Sequence, residues 1–206
     1  MTLRSSDLGI EAVSPTGAFA RITTQTGILF VRYVDGITET VTLPPNQHAS
    51  EATALSFSAD GTMLAVSTKA DAILVFTLPD WALAATLPTT GNVYQLAFSP
   101  DHSLLGARHA DGTLLVWRIG EMKPISRIVT PPLDPEQPTP LRSSLLVTPD
   151  QKMVITGDGA GVTFYRLQDG QRLQTIPVAA NDVAMTSDAR WLMIVDAEGV
   201  DLWGVP

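Results

Sequence analysis

One short turn phrase recurs five times along this chain, and nothing else in the sequence restricts its fold so strongly. It reads Ser14-Pro15-Thr16-Gly17, Ser58-Ala59-Asp60-Gly61, Ser99-Pro100-Asp101-His102, Thr148-Pro149-Asp150-Gln151 and Thr186-Ser187-Asp188-Ala189. The starts are separated by 44, 41, 49 and 38 residues. Those intervals bracket the period of about 40 to 45 residues of a four-stranded repeat unit.

The residues around each phrase fit such a unit. An apolar stretch precedes it, as in Val93 to Phe98, and a second follows, as in Leu104 to Ala107. Two strands joined by a tight turn give this pattern. An aspartate or glycine turn comes next, and then a third apolar run ending in an aromatic: Ile73 to Phe76, Leu114 to Trp117, Val162 to Tyr165 and Val200 to Trp203. A fourth strand is expected at Leu83 to Leu87 and at Leu173 to Ile176. The first of these also suits a helix, but it is short and stopped by Pro88. Asp-Gly turns supply the positive φ that hairpin loops demand.

A lone four-stranded sheet with apolar residues on both faces cannot bury them, whereas sheets stacked around an axis bury each against its neighbours. The expected fold is therefore all-β, a β-propeller of about five four-stranded antiparallel blades. One domain spans residues 1–206, with repeats near 10–51, 52–92, 93–142, 143–179 and 180–206 and a proline-rich insertion at 119–142. Leu96-Ala97-Phe98-Ser99-Pro100-Asp101, followed by Asp111-Gly112-Thr113-Leu114-Leu115-Val116-Trp117, resembles the consensus of the WD-repeat β-propeller family, particularly its divergent bacterial members. The resemblance runs from Ile10 to Trp203. It departs in two places: no repeat opens with the family's Gly-His pair, and no terminal aromatic is followed by Asp. The hydrogen-bond network those residues make in the family is not expected here.

The last repeat stops at its third strand. In the resembled family a strand from the opposite terminus commonly completes the final blade, which gives Met1 to Ser6 that role, a closed ring and a monomer. The alternative is an open array whose end faces pair with another copy or another domain.

Charge and composition narrow the functional classes. Apolar residues make up 45% and charged residues 17% of the chain, which is core-forming material. The net charge of -8, with basic residues scattered singly, disfavours nucleic acid and anionic membranes as partners. Cysteine is absent, so disulfides and thiolate metal sites are excluded. No apolar stretch is long enough to span a bilayer. The N-terminus carries no visible signal peptide, and a cytoplasmic location is the expectation.

Each candidate chemistry meets a simpler reading. Asp60, Asp101, Asp150 and Asp188, and the second series Asp71, Asp111, Asp158 and Asp196, appear once per repeat rather than clustered as a calcium loop requires, so they are read as turn residues. His48, His102 and His109 lack zinc spacing and are read as surface residues. No Gly-x-Ser-x-Gly turn is present. Phe76, Trp117, Tyr165 and Trp203 are read as inter-blade core, not as a sugar platform. No cofactor, metal or catalytic residue is assigned.

The proline-rich insertion is the candidate partner site, at Pro131, Pro132, Leu133, Asp134, Pro135, Glu136 and Pro138. Proline stiffens a segment and lowers the entropy lost on binding. In the resembled family such loops emerge on a face where partners bind. The expected function is a non-catalytic platform for a protein or peptide. The alternatives are a hydrolase- or lactonase-type propeller enzyme using a central channel, and a regulatory portion of a larger signalling protein.

Overall fold

The structure, a computed structural model, describes residues 10–13, 18–23, 27–32, 38–40, 52–68, 71–132, 144–186, 188–196 and 198–204, with residues up to 52 described by backbone alone. The described residues form antiparallel strands and turns and include no helix. The chain divides into two compact units, Met1–Val93 and Tyr94–Pro206.

The first unit holds two sheets. One is β1 (Ile10–Val13), β2 (Ala18–Thr23), β3 (Gly27–Arg32) and β4 (Thr38–Thr40), and the other is β5 (Ala52–Phe57), β6 (Met63–Thr68), β7 (Ala72–Thr77) and β8 (Ala82–Pro88). Each is a meander in which strands lie side by side in sequence order. Strands β6 and β7 are buried on both faces: Leu64, Ala65, Val66, Ile73, Leu74 and Val75 are all fully covered. A strand with two buried faces reads as a continuous apolar run rather than an alternation, which is how Ala72–Thr77 reads. The Leu83 to Leu87 run is strand, within β8.

The second unit holds three sheets: β9 (Val93–Phe98) to β12 (Ser126–Val129) through β10 (Leu104–His109) and β11 (Thr113–Arg118); β13 (Ser144–Val147), β14 (Met153–Asp158), β15 (Gly161–Arg166) and β16 (Arg172–Ile176); and β17 (Asp182–Met185), β18 (Trp191–Val195) and β19 (Val200–Gly204). Among the described residues the last sheet has three strands. Apolar layers join the sheets face to face. Leu104, Leu114, Val116 and Ile128 meet Val147, Val154 and Tyr165, and Ile155, Val162 and Ile176 meet Val183, Leu192 and Ile194. In this unit each of these apolar clusters is shared by two adjacent sheets, so those sheets depend on their neighbours for burial.

The turn phrase is one hydrogen-bonded device built four times. The first-position hydroxyl donates to the third-position carboxylate: Ser58 to Asp60 at 2.7 Å, Ser99 to Asp101 at 2.6 Å, Thr148 to Asp150 at 2.6 Å and Thr186 to Asp188 at 2.5 Å. The same hydroxyl accepts the amide of the next strand's first residue, at 2.9 to 3.1 Å. The carboxylate accepts a second amide two residues on, from Thr62, Ser103, Lys152 and Arg190. The fourth position takes positive φ every time, at Gly61, His102, Gln151 and Ala189. Only the first of these is glycine, so local hydrogen bonding holds the other three in a conformation L-residues disfavour. The phrase at Ser14 to Gly17 lies outside the described residues.

Three details differ from the sequence reading. The insertion at 119–142 contains the outer strand β12, paired with β11 through Leu114↔Ile128, so the connecting segment proper begins at Thr130. Four strand residues between Pro124 and Pro131 were too short a signal to stand out. Trp203 is 40% exposed, unlike Phe76, Trp117 and Tyr165, because β19 has no fourth strand beside it among the described residues. His109 is buried, since β10 is covered on both faces through its last residue.

Candidate functional site

The described start of the proline-rich segment, Thr130 to Pro132, sits on a tightly fitted root. The hairpin between β10 and β11 closes with the Gly112 amide on the His109 carbonyl at 3.1 Å. Asp111 braces it by accepting the Thr113 amide at 2.8 Å, and that hydrogen bond is the first cause holding the Asp111 carboxyl below its ordinary range. His109 Nδ1 lies 2.9 Å from the Thr113 carbonyl. A carbonyl only accepts, so Nδ1 carries the proton.

Gly112, in the β10–β11 turn, faces Thr130, the residue after β12. Its carbonyl accepts both the amide and the hydroxyl of buried Thr130, each at 2.8 Å. A Cβ on Gly112 would sit 2.2 Å from the Thr130 carbonyl oxygen and 2.9 Å from Pro131 and Pro132 backbone atoms, and its φ is +84°. Only glycine fits this position. Pro131 and Pro132 follow, both exposed. The other proposed contact residues, Leu133, Asp134, Pro135, Glu136 and Pro138, lie outside the described residues.

Beneath the root sits a buried charge. Arg108, at the end of β10, is fully covered, and its Nη2 reaches Asp158 Oδ2 at 3.0 Å and the Pro131 carbonyl at 3.5 Å. Asp158 closes the β14–β15 turn as well, accepting the Ala160 amide at 3.0 Å. One side chain therefore ties the third and fourth sheets together and touches Pro131. Arg108 Nε and Nη1 have no hydrogen-bond partner among the described residues. Burial pushes the nearby Tyr165 phenol up, against the pull of the Arg108 charge.

A second tie joins the same two sheets at their other end. Gln151 Nε2 donates to Asp101 Oδ2 at 2.5 Å and to Ser103 Oγ at 2.9 Å, linking one turn phrase to another. Sequence reasoning missed Arg108, Thr130 and Gln151. A charged residue at the end of an apolar strand was the available signal for Arg108; the other two carried none.

Asp60, Asp71, Asp101, Asp111, Asp150 and Asp188 sit in turns, as read, while Asp158 is the last residue of β14, and two of the series reach further. Asp71 accepts the Gly91 amide at 3.0 Å, twenty residues on, and Asp158 holds Arg108. His102 and His109 stand at opposite ends of β10, roughly 20 Å apart at strand rise. Trp117 is fully buried and its Nε1 has no hydrogen-bond partner among the described residues.

A family model described as WD domain, G-beta repeat matches residues 81–118. The match takes in β8, β9, β10 and β11, the outer strand of one sheet followed by three strands of the next. No curated protein matches the chain. Both stretches that carry the resemblance, Leu96 to Asp101 and Asp111 to Trp117, fall inside the matched residues.

Proposed function

We propose that this chain is a non-catalytic platform for a protein or peptide partner, and that the segment beginning at Pro131 is part of the surface the partner contacts. WD repeats serve in protein interaction generally. The observation that carries the reading further is the root: Gly112, Thr130 and Arg108 fix the backbone where the prolines emerge. A stiff segment on a fixed base loses little entropy on binding. The chain's charge of -8 favours a partner with a basic surface.

The test is affinity capture from native lysate with the intact chain and with a version in which residues 133–140 are replaced by a Gly-Ser linker. Thr130 to Pro132 are left in place because Thr130 is buried. A partner held by the intact chain and lost from the replaced one supports the reading. Equal capture by both moves the site elsewhere, and no capture by either removes the support for a platform.

A further inference from the structure

We propose that the fourth sheet carries a groove for a small amphipathic carboxylate, an apolar chain ending in one acid group. This inference is independent of the proline-rich segment. The groove holds about 550 Å³ and is bounded by Ile125, just before β12, and by three pieces of the fourth sheet. These are Asp150 to Met153, Arg166 to Gln168 and Leu173 on β16. Met153 opens β14 and Asp158 closes it, so the groove stands at the opposite end of that strand from the Arg108 tie.

Its walls are fixed before any ligand arrives. The Leu167 amide donates to the Lys152 carbonyl, and the Arg166 amide to the Gln171 carbonyl, each at 2.8 Å. Gly170, at φ +70°, lets the β15–β16 turn lie against β12: a Cβ there would stand 3.1 Å from the Arg127 carbonyl oxygen and 3.4 Å from Ile128. Small-molecule sites are largely preformed, mostly apolar and about 300 to 1,000 Å³ in volume. The apolar surface here comes from Ile125, Met153, Leu167 and Leu173. Ile125 is 39% and Leu173 44% exposed, so a ligand chain laid between them takes apolar surface out of water.

The polar groups of the groove decide the sign of the ligand's head. Asp150 is already engaged at both oxygens: Oδ1 accepts the Thr148 hydroxyl at 2.6 Å and the Lys152 amide at 3.0 Å, and Oδ2 faces Lys152 Nζ at 3.8 Å. The two cations keep donors to give. A guanidinium has five N–H groups, and the ion pair of Arg166 with Asp169 uses Nη1, at 2.8 Å. Among the lining residues Lys152 and Arg166 stand against Asp150 alone, a local positive excess on a chain whose net charge is -8. A ligand cation meets two like charges there. A carboxylate matches the planar guanidinium and gains charge-assisted hydrogen bonds that a neutral head does not make.

The experiment uses the full chain with labelled methyl groups, and octanoate, octanol and octylammonium as probes that differ only in the head. On titration, octanoate should shift the Ile125, Met153, Leu167 and Leu173 methyl signals saturably, with a dissociation constant in the millimolar range or tighter. Octanol should bind about tenfold more weakly. Arg166→Gln should bring octanoate down to the affinity of octanol and leave octanol unchanged, and because the ion pair it breaks is exposed the fold is kept. Asp169→Asn, which retains an oxygen for the Gln171 amide but releases Arg166, should tighten octanoate without moving octanol. No shift of these four signals at about 20 mM octanoate overturns the proposal. So does equal affinity for octanoate and octanol, or octylammonium binding more tightly than octanoate.

Discussion

Arg108 and Asp158 meet at 3.0 Å across fifty residues of sequence, the guanidinium wholly buried and the carboxylate about a quarter exposed. Removing the acid strands the base. Asp158→Ala should cost about 3 kcal/mol, because an uncompensated buried charge is left behind. Arg108→Met should cost less, and the double variant should be more stable than Asp158→Ala alone. Urea unfolding of the four chains checks the ordering. An Asp158→Ala chain within error of the parent would contradict it.

Gly112→Ala should cost upwards of about 2 kcal/mol, since a Cβ there would meet the Thr130 carbonyl at 2.2 Å and the backbone holds a positive φ. Gly159→Ala, with nothing within 4 Å of the new carbon, should change stability by less than about 0.5 kcal/mol. Thermal unfolding of both separates steric cause from a general intolerance of glycine replacement.

The turn phrase should weaken according to burial. Ser99 is fully covered and serves both Asp101 and the Leu104 amide, so Ser99→Ala should cost about 2 kcal/mol. Thr186 makes the same bonds in an exposed turn, where water replaces the lost hydroxyl, and Thr186→Ala should cost less than half as much. Equal losses would show that the bonds matter without regard to solvent.

Acid should release the turn phrases and the β15–β16 turn, which Asp169 holds, together. The Asp188 carboxyl is held below its ordinary value first by the Thr186 hydroxyl, and Asp169 first by the Gln171 amide. At Asp101 and Asp150 partial burial is the largest influence and acts upward, but the Ser99 and Thr148 hydroxyls and neighbouring amides together outweigh it. Folded values below the unfolded one, near about 3.9, give stability that is present above about pH 4 and lost as pH falls through the folded values. Melting temperature should stay level from about pH 7 to 5 and fall below about pH 4. A Thr148→Ala, Thr186→Ala chain should lose part of that acid-dependent component.

The strands were legible because each is written in its own residues: Val93 to Phe98 was read with the bounds it has as β9. The turn phrase was legible for the same reason, since Ser99, Asp101 and Leu104 bond within six residues. What was not legible depends on which sheets meet. Gln151 finds Asp101, and Arg108 finds Asp158, only once the third and fourth sheets are stacked. β12 was hidden for a different reason, four residues between prolines being too few to display alternation. Of the candidate site, the prolines drew notice by composition, while Gly112 and Thr130 act through a close approach that no local pattern announces.

The most direct test of the platform is where a partner touches it. A photoreactive amino acid at Pro132 or at Met122 samples the two opposite ends of β12, and both positions are exposed. The account predicts that a captured partner cross-links from 132 and not from 122. Cross-linking from 122 with none from 132 would contradict it.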